Sequence, residues 1–202
     1  TRLDWGQDNS AVSISGSAFH MRVLDLDGSG GNQDRSLTND AVIFPGSITI
    51  VKVANSPGSF SFTGDLGAFP LNSDGVNPSQ TIFDGITLFK TYSVTETLPN
   101  EWKLDSIVCS DGSTGNVSTA TASINLAEGE NVTCTFKNSL KQGNLQVIKH
   151  VVNDNGGTKQ VSDFPRKVGS ATVASGVQNS FSAGNYTVSE TGPSGYAASF
   201  SG

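Results

Sequence analysis

The sequence predicts an all-β protein of tandem β-sandwich domains, one complete and one split between the N- and C-terminal segments. Three observations carry this prediction. The runs GSITIVKV, TYSVTETLP and GENVTCTFKN alternate apolar and polar residues with the period of two of half-buried strands. No segment sustains helical periodicity, and Gly, Ser and Thr are plentiful throughout. Two of the runs also recur: GNLQVIKHV from Gly143 repeats GSITIVKVA, and NYTVSETGPSGY repeats TYSVTETLPNEW. At 202 residues the chain has the length of one or two small domains. Its net charge of −6 argues against nucleic acid as a partner. The longest apolar runs are a few residues, too short for a transmembrane helix.

Residues 1–45 do not make a domain of their own. AVSIS and AFHMRV read as short strands, DLDGSGGNQD as a polar loop, and RSLTNDAVIFPG leads into the next unit. The loop partly matches a calcium loop. Asp25, Asp27, Ser29 and Gln33 stand at its first, third, fifth and ninth positions, with Gly30 at the sixth and Asp34 alongside. Ser36 stands where the closing bidentate Glu belongs, and a solvated turn accounts for the same residues. Calcium is the one cofactor suggested, and nothing in the chain requires it.

Residues 46–140 read as the complete domain. Ile48 and Ile50 lead to Lys52; Tyr92 and Val94 lead to Glu96; Val132, Cys134 and Phe136 lead to Asn138. Each apolar row ends in a residue that is costly to bury without a partner. Either these residues turn to solvent at strand ends, or an amine, a carboxyl and an amide converge in the core. Convergence would be chemical. Burial disfavours charge, and a neutral amine is nucleophilic. A protonated carboxyl can polarise an amide carbonyl and pass a proton to departing ammonia.

ITIVKV, YSVTETLP and TCTFKN resemble the CnaB-type (prealbumin-like) domains of microbial surface proteins and pilins. The resemblance implies an intramolecular isopeptide bond between Lys52 and Asn138, with Glu96 as the assisting acid. Such a domain reacts once, on itself, which is maturation and not enzymatic turnover. Cys109 and Cys134 fall within the same domain, and in the implied fold their strands are near neighbours. A disulfide between them and a pair of reduced buried cysteines are both open, and an extracellular, cell-surface location fits the first.

Residues 141–202 show the opposite defect to the N-terminal segment. Lys149 takes the place of Lys52, Glu190 of Glu96, and Pro193 of Pro99, but nothing matches residues 109–138. Conversely, GGNQDRSLTN (residues 30–39) lies ungapped beside GENVTCTFKN, although Gln33 and Arg35 replace Val132 and Cys134. The N-terminal segment therefore reads as a donor of last strands and the C-terminal segment as an acceptor. Burying roughly four apolar side chains in the acceptor is worth at most about 6–12 kcal/mol. Opposite charge helps: residues 1–45 hold six Asp against three Arg, while residues 141–202 carry an excess of Lys and Arg.

The expected partner is a second copy of the chain, joined head to tail by strand complementation. The bond then expected runs from Lys149 to Asn39 of the next subunit, with Glu190 assisting. The runner-up acceptor is Asp25, which continues the Phe19, Met21 and Val23 face. A fragment of a longer tandem-repeat protein would show the same ends. The function expected is a structural subunit of an extracellular filament or pilus. The alternative is a repeat module of a surface adhesin or stalk, with its ligand at the loop 64–80. No nucleophile elbow, phosphate loop or metal-ligand cluster is present, so neither an enzyme nor a small-molecule substrate is expected. Asn116, Asn131 and Asn185 lie in glycosylation sequons.

Overall fold

The structure, a computed structural model, describes residues 20–23, 33–36 and 43–201. The chain divides into two compact units, Thr1–Pro99 with Lys103–Ser139, and Leu140–Gly202 with Asn100–Trp102. Each is described by itself.

In the first unit, β1 (His20–Val23) and β2 (Gln33–Ser36) pair antiparallel, with Val23 opposite Gln33 and Arg22 opposite Asp34. The polar loop is thus shorter than the sequence suggested, because Gln33 and Asp34 belong to a strand.

A sandwich of two sheets follows. Its strands are β3 (Gly46–Ala54), β4 (Pro57–Gly64), β5 (Phe69–Asp74), β6 (Ser79–Ile86), β7 (Thr91–Thr97), β8 (Trp102–Cys109), β9 (Thr114–Asn116), β10 (Thr121–Asn125) and β11 (Asn131–Leu140). One sheet has the order β5-β4-β7-β10-β9 and the other β6-β3-β11-β8. The first and last strands of the repeat, β3 and β11, lie side by side and parallel, with Phe136 opposite Lys52.

Strict alternation drives this arrangement. Every second residue of β3 is buried, and β7 and β11 bury Tyr92 and Val94, and Val132, Cys134 and Phe136. Phe60 and Phe62 of β4 fill the space between the sheets. Phe62 stacks on Phe69 at 5.2 Å and meets Phe136 edge-on at 5.1 Å. The segment 64–80, expected as a loop, is mostly strand. Phe69 joins that stack and Leu71 is buried, so these side chains hold β5 against the core. Gly64 allows the preceding turn: at φ 138° a Cβ there would lie 2.1 Å from the Ser93 carbonyl oxygen.

The second unit contains β12 (Gln142–Gln146), a 3-10 turn (Val161–Asp163), β13 (Arg166–Val168), β14 (Ala171–Val173), β15 (Gln178–Ser182) and β16 (Val188–Glu190). Their sheets are β12-β15 and β14-β13-β16. The registers copy the first unit. Arg166 lies opposite Glu190 as Phe62 lies opposite Glu96, and Arg166 opposite Val173 as Phe62 opposite Phe69.

The repeat of β3 was expected to run through GNLQVIKHV, yet β12 stops at Gln146. Its only strand partner among the described residues is β15, whereas β3 is held on both sides by β6 and β11. A ladder bonded on one edge fixes fewer residues than one bonded on both. No helix among the described residues is long and apolar enough to cross a membrane.

Candidate functional site

Three strands deliver Lys52, Glu96 and Asn138 to one place in the first unit. Lys52 is the fourth inward residue of β3, Asn138 the fourth inward residue of β11, and Glu96 the third inward residue of β7 in the opposite sheet. All three are buried, at 0%, 1% and 3% exposure in the order Lys52, Asn138, Glu96. Glu96 is held from behind, since its backbone N–H donates to the Ala120 carbonyl at 2.9 Å.

One carboxylate oxygen serves both neighbours. Asn138 Nδ2 donates to Glu96 Oε1 at 2.8 Å, and Lys52 Nζ lies 2.8 Å from the same oxygen. The lysine contact is at charge-pairing distance. Glu96 Oε2 and Asn138 Oδ1 are buried without a hydrogen-bond partner. Each such atom costs about 1–3 kcal/mol. Burial pushes the Lys52 amine below its ordinary value of 10.5, against the pull of Glu96 and the more distant charge of Asp105. The Phe60 ring, centred 4.2 Å from Nζ, completes the wall around it.

Phe60 and Asp105 were not singled out in the sequence. The signal for Phe60 was there: FSF follows the first strand of the complete unit, and FPR stands in the matching place of the repeat.

The second unit builds half of this arrangement. Lys149 Nζ donates to Glu190 Oε1 at 2.9 Å, and the Phe164 ring lies 4.4 Å from Nζ, as Phe60 does from Lys52. The Lys149 and Glu190 side chains are 15% and 8% exposed. They line an open groove of 1190 Å³ bounded also by Leu145, Arg166, Tyr196 and Phe200. No amide from a last strand reaches this pair among the described residues. Asn39 and Asp25 lie outside the described residues.

The remaining expected sites divide in the same way. Asp27 and Ser29 lie outside the described residues with Asp25, while Gln33 and Asp34 are on β2. The Asp34 carboxylate already accepts from His20 Nδ1 at 3.2 Å. Cys109 and Cys134 form a disulfide that ties β8 to β11. Asn116 is engaged locally, its Oδ1 accepting from the Ser118 hydroxyl at 2.7 Å.

Comparison with known proteins bears on the fold. Two family models match, each a prealbumin-like fold domain, one over residues 48–140 and the other over residues 141–200. No curated protein matches the chain. Among solved structures, the Bacillus anthracis TIE protein is 18% identical at a TM-score of 0.46, covering 88% of this chain and 35% of that one. A Mobiluncus mulieris adhesin containing intramolecular disulfide, isopeptide and ester cross-links is 14% identical at 0.36, covering 57% of this chain and 46% of that one. The Streptococcus pyogenes major pilin T-13 is 14% identical at 0.36, covering 75% of this chain and 83% of that one. The chain thus spans less than half the length of the adhesin and of the TIE protein. Across residues 48–200 it belongs to the prealbumin-like, CnaB-type domains of pilins and surface proteins.

Proposed function

We propose that the chain is a structural subunit of an extracellular filament, locked within each subunit by a Lys52–Asn138 isopeptide bond and between subunits by a bond at Lys149. The internal step balances with the groups present. Lys52 Nζ attacks Asn138 Cγ, the Nζ–Cγ bond forms, the Cγ–Nδ2 bond breaks, and ammonia leaves. Glu96 Oε1 lies within 2.8 Å of both nitrogens, so one oxygen can take a proton from Nζ and return it to departing Nδ2. The new amide leaves no buried amine.

The observation that carries the intermolecular part is the open groove with Lys149 and Glu190 on its wall. Ile148 and Phe200 beside it are 59% and 65% exposed. Apolar surface of this kind, next to a strand bonded on one edge only, favours an added strand. The occupant we favour is the segment ending at Asn39 of the next subunit. A copy that donates at one end and accepts at the other makes a contact that does not close, hence a filament. The disulfide supports a location outside the reducing cytosol.

Boiling in detergent is expected to leave a ladder of multimers, and Lys149→Ala to collapse it to monomer. That monomer should still weigh one ammonia less than its sequence, while Glu96→Ala restores the full mass. A ladder that survives Lys149→Ala would refute the intermolecular bond. Full mass in the unaltered monomer would refute the internal one.

A further inference from the structure

The groove of the second unit contains a buried cation that the filament reading does not use. Arg166 is 7% exposed and lines the groove. Its Nη1 donates to the carbonyls of Val161 at 2.9 Å and Phe164 at 2.8 Å, yet its Nε is buried with no hydrogen-bond partner. The register shows what stands there in the complete unit. Phe62 faces Glu96 on one side and Phe69 on the other, and Phe136 of the last strand packs against it edge-on. In the second unit the corresponding residues are Arg166, Glu190 and Val173. The last strand of the complete unit thus brings a phenylalanine to a phenylalanine, and a last strand added to the second unit would meet a guanidinium.

We propose that Arg166 makes this groove prefer a strand with a carboxylate two positions before the amide that meets Lys149 over a strand with an apolar side chain there. This rests on the strand-acceptor reading above. The spacing follows from Phe136 and Asn138, which share the inward face of β11 two residues apart. The chemistry follows from charge. A guanidinium stays protonated in any protein environment, and Glu190, its cross-strand neighbour, is engaged by Lys149. An apolar side chain arriving above it would seal a charge and an unpaired N–H away from water. A carboxylate arriving there would accept charge-assisted hydrogen bonds from the same fork. The segment ending at Asn39 brings Leu37 to this position, so it is a weaker donor than the groove can take.

Two synthetic peptides test this. Both copy residues 129–140 with Ala at position 134; one keeps Phe136 and the other carries Asp in its place. Each is added to the monomeric fraction of the 202-residue chain and of its Arg166→Leu and Arg166→Lys variants. Capture is read by fluorescence anisotropy, and bond formation by intact mass as addition of the peptide less one ammonia. The Asp peptide is expected to bind the unaltered chain about tenfold more tightly than the Phe peptide, the scale of one charged hydrogen bond. The preference should shrink with Arg166→Lys and reverse with Arg166→Leu. Equal or tighter capture of the Phe peptide by the unaltered chain overturns the role of Arg166 while leaving the acceptor groove standing. Capture of neither peptide overturns both. Preferential capture without loss of ammonia keeps the selection rule and removes only the covalent step.

Discussion

An amine that no water reaches must be neutral, ion-paired or covalently capped, and the bond we propose to Asn138 would cap Lys52. Its lowered proton affinity has a consequence that can be measured where the bond cannot form. In Asn138→Ala the amine persists, buried, beside Glu96. Over the range between the lowered native value and 10.5 the unfolded chain holds a proton that the folded chain has released. Stability should therefore rise with pH through that range, be complete above 10.5, and fall as the solution is acidified towards the native value. Urea midpoints taken across the alkaline range should show this slope in Asn138→Ala and lose it in Lys52→Met/Asn138→Ala. An equal slope in both chains would assign the effect to another group. The three residues were legible in the sequence because each ends an apolar row of period two. The sharing of one Glu96 oxygen by both nitrogens was not, because it depends on how two sheets meet, and alternation within a strand carries no such information.

At the level of elements, β11 carries the most. It brings Asn138 to the site, places Phe136 against Phe62, and is cross-linked to β8 through Cys134 and Cys109. That disulfide closes a loop of 25 residues, which restrains the unfolded chain by about 3 kcal/mol. Cys109→Ser/Cys134→Ala, in a Glu96→Ala background that lacks the isopeptide bond, should lose about 2–4 kcal/mol in denaturant unfolding. A loss below 0.5 kcal/mol, roughly the effect of a surface substitution, would mean that packing alone fixes β8. Strands whose sequence alternates cleanly, such as β3, β7 and β11, could be read directly. β5 could not: FPLNSD contains Pro and Asn, turn-forming residues, and its pairing with β4 and the packing of Phe69 and Leu71 against the core make it a strand. β12 shows the converse, since its alternation promises nine residues and a strand partner on one edge fixes five.

For the whole molecule the question is polarity: whether one end of a copy meets the other end of the next. The groove around Lys149 is the proposed acceptor and residues 1–45 are the proposed donor, so each function can be removed without touching the other. Lys149→Ala leaves a chain that donates but cannot form the covalent bond as acceptor. Asn39→Ala leaves a chain that accepts but cannot donate. Each alone should stay monomeric in boiling detergent. Mixed, they should give a covalent dimer and nothing longer, because the dimer has one disabled acceptor and one disabled donor at its ends. A self-complementary contact between like ends would give a different result, with each variant behaving the same alone as in the mixture. If Asp25 is the donor group, Asn39→Ala by itself will still form ladders, and Asp25→Ala takes its place in the mixture. Denaturing gels with isotope-labelled Lys149→Ala chain identify the partner in each dimer. Dimers containing two labelled chains would refute head-to-tail assembly.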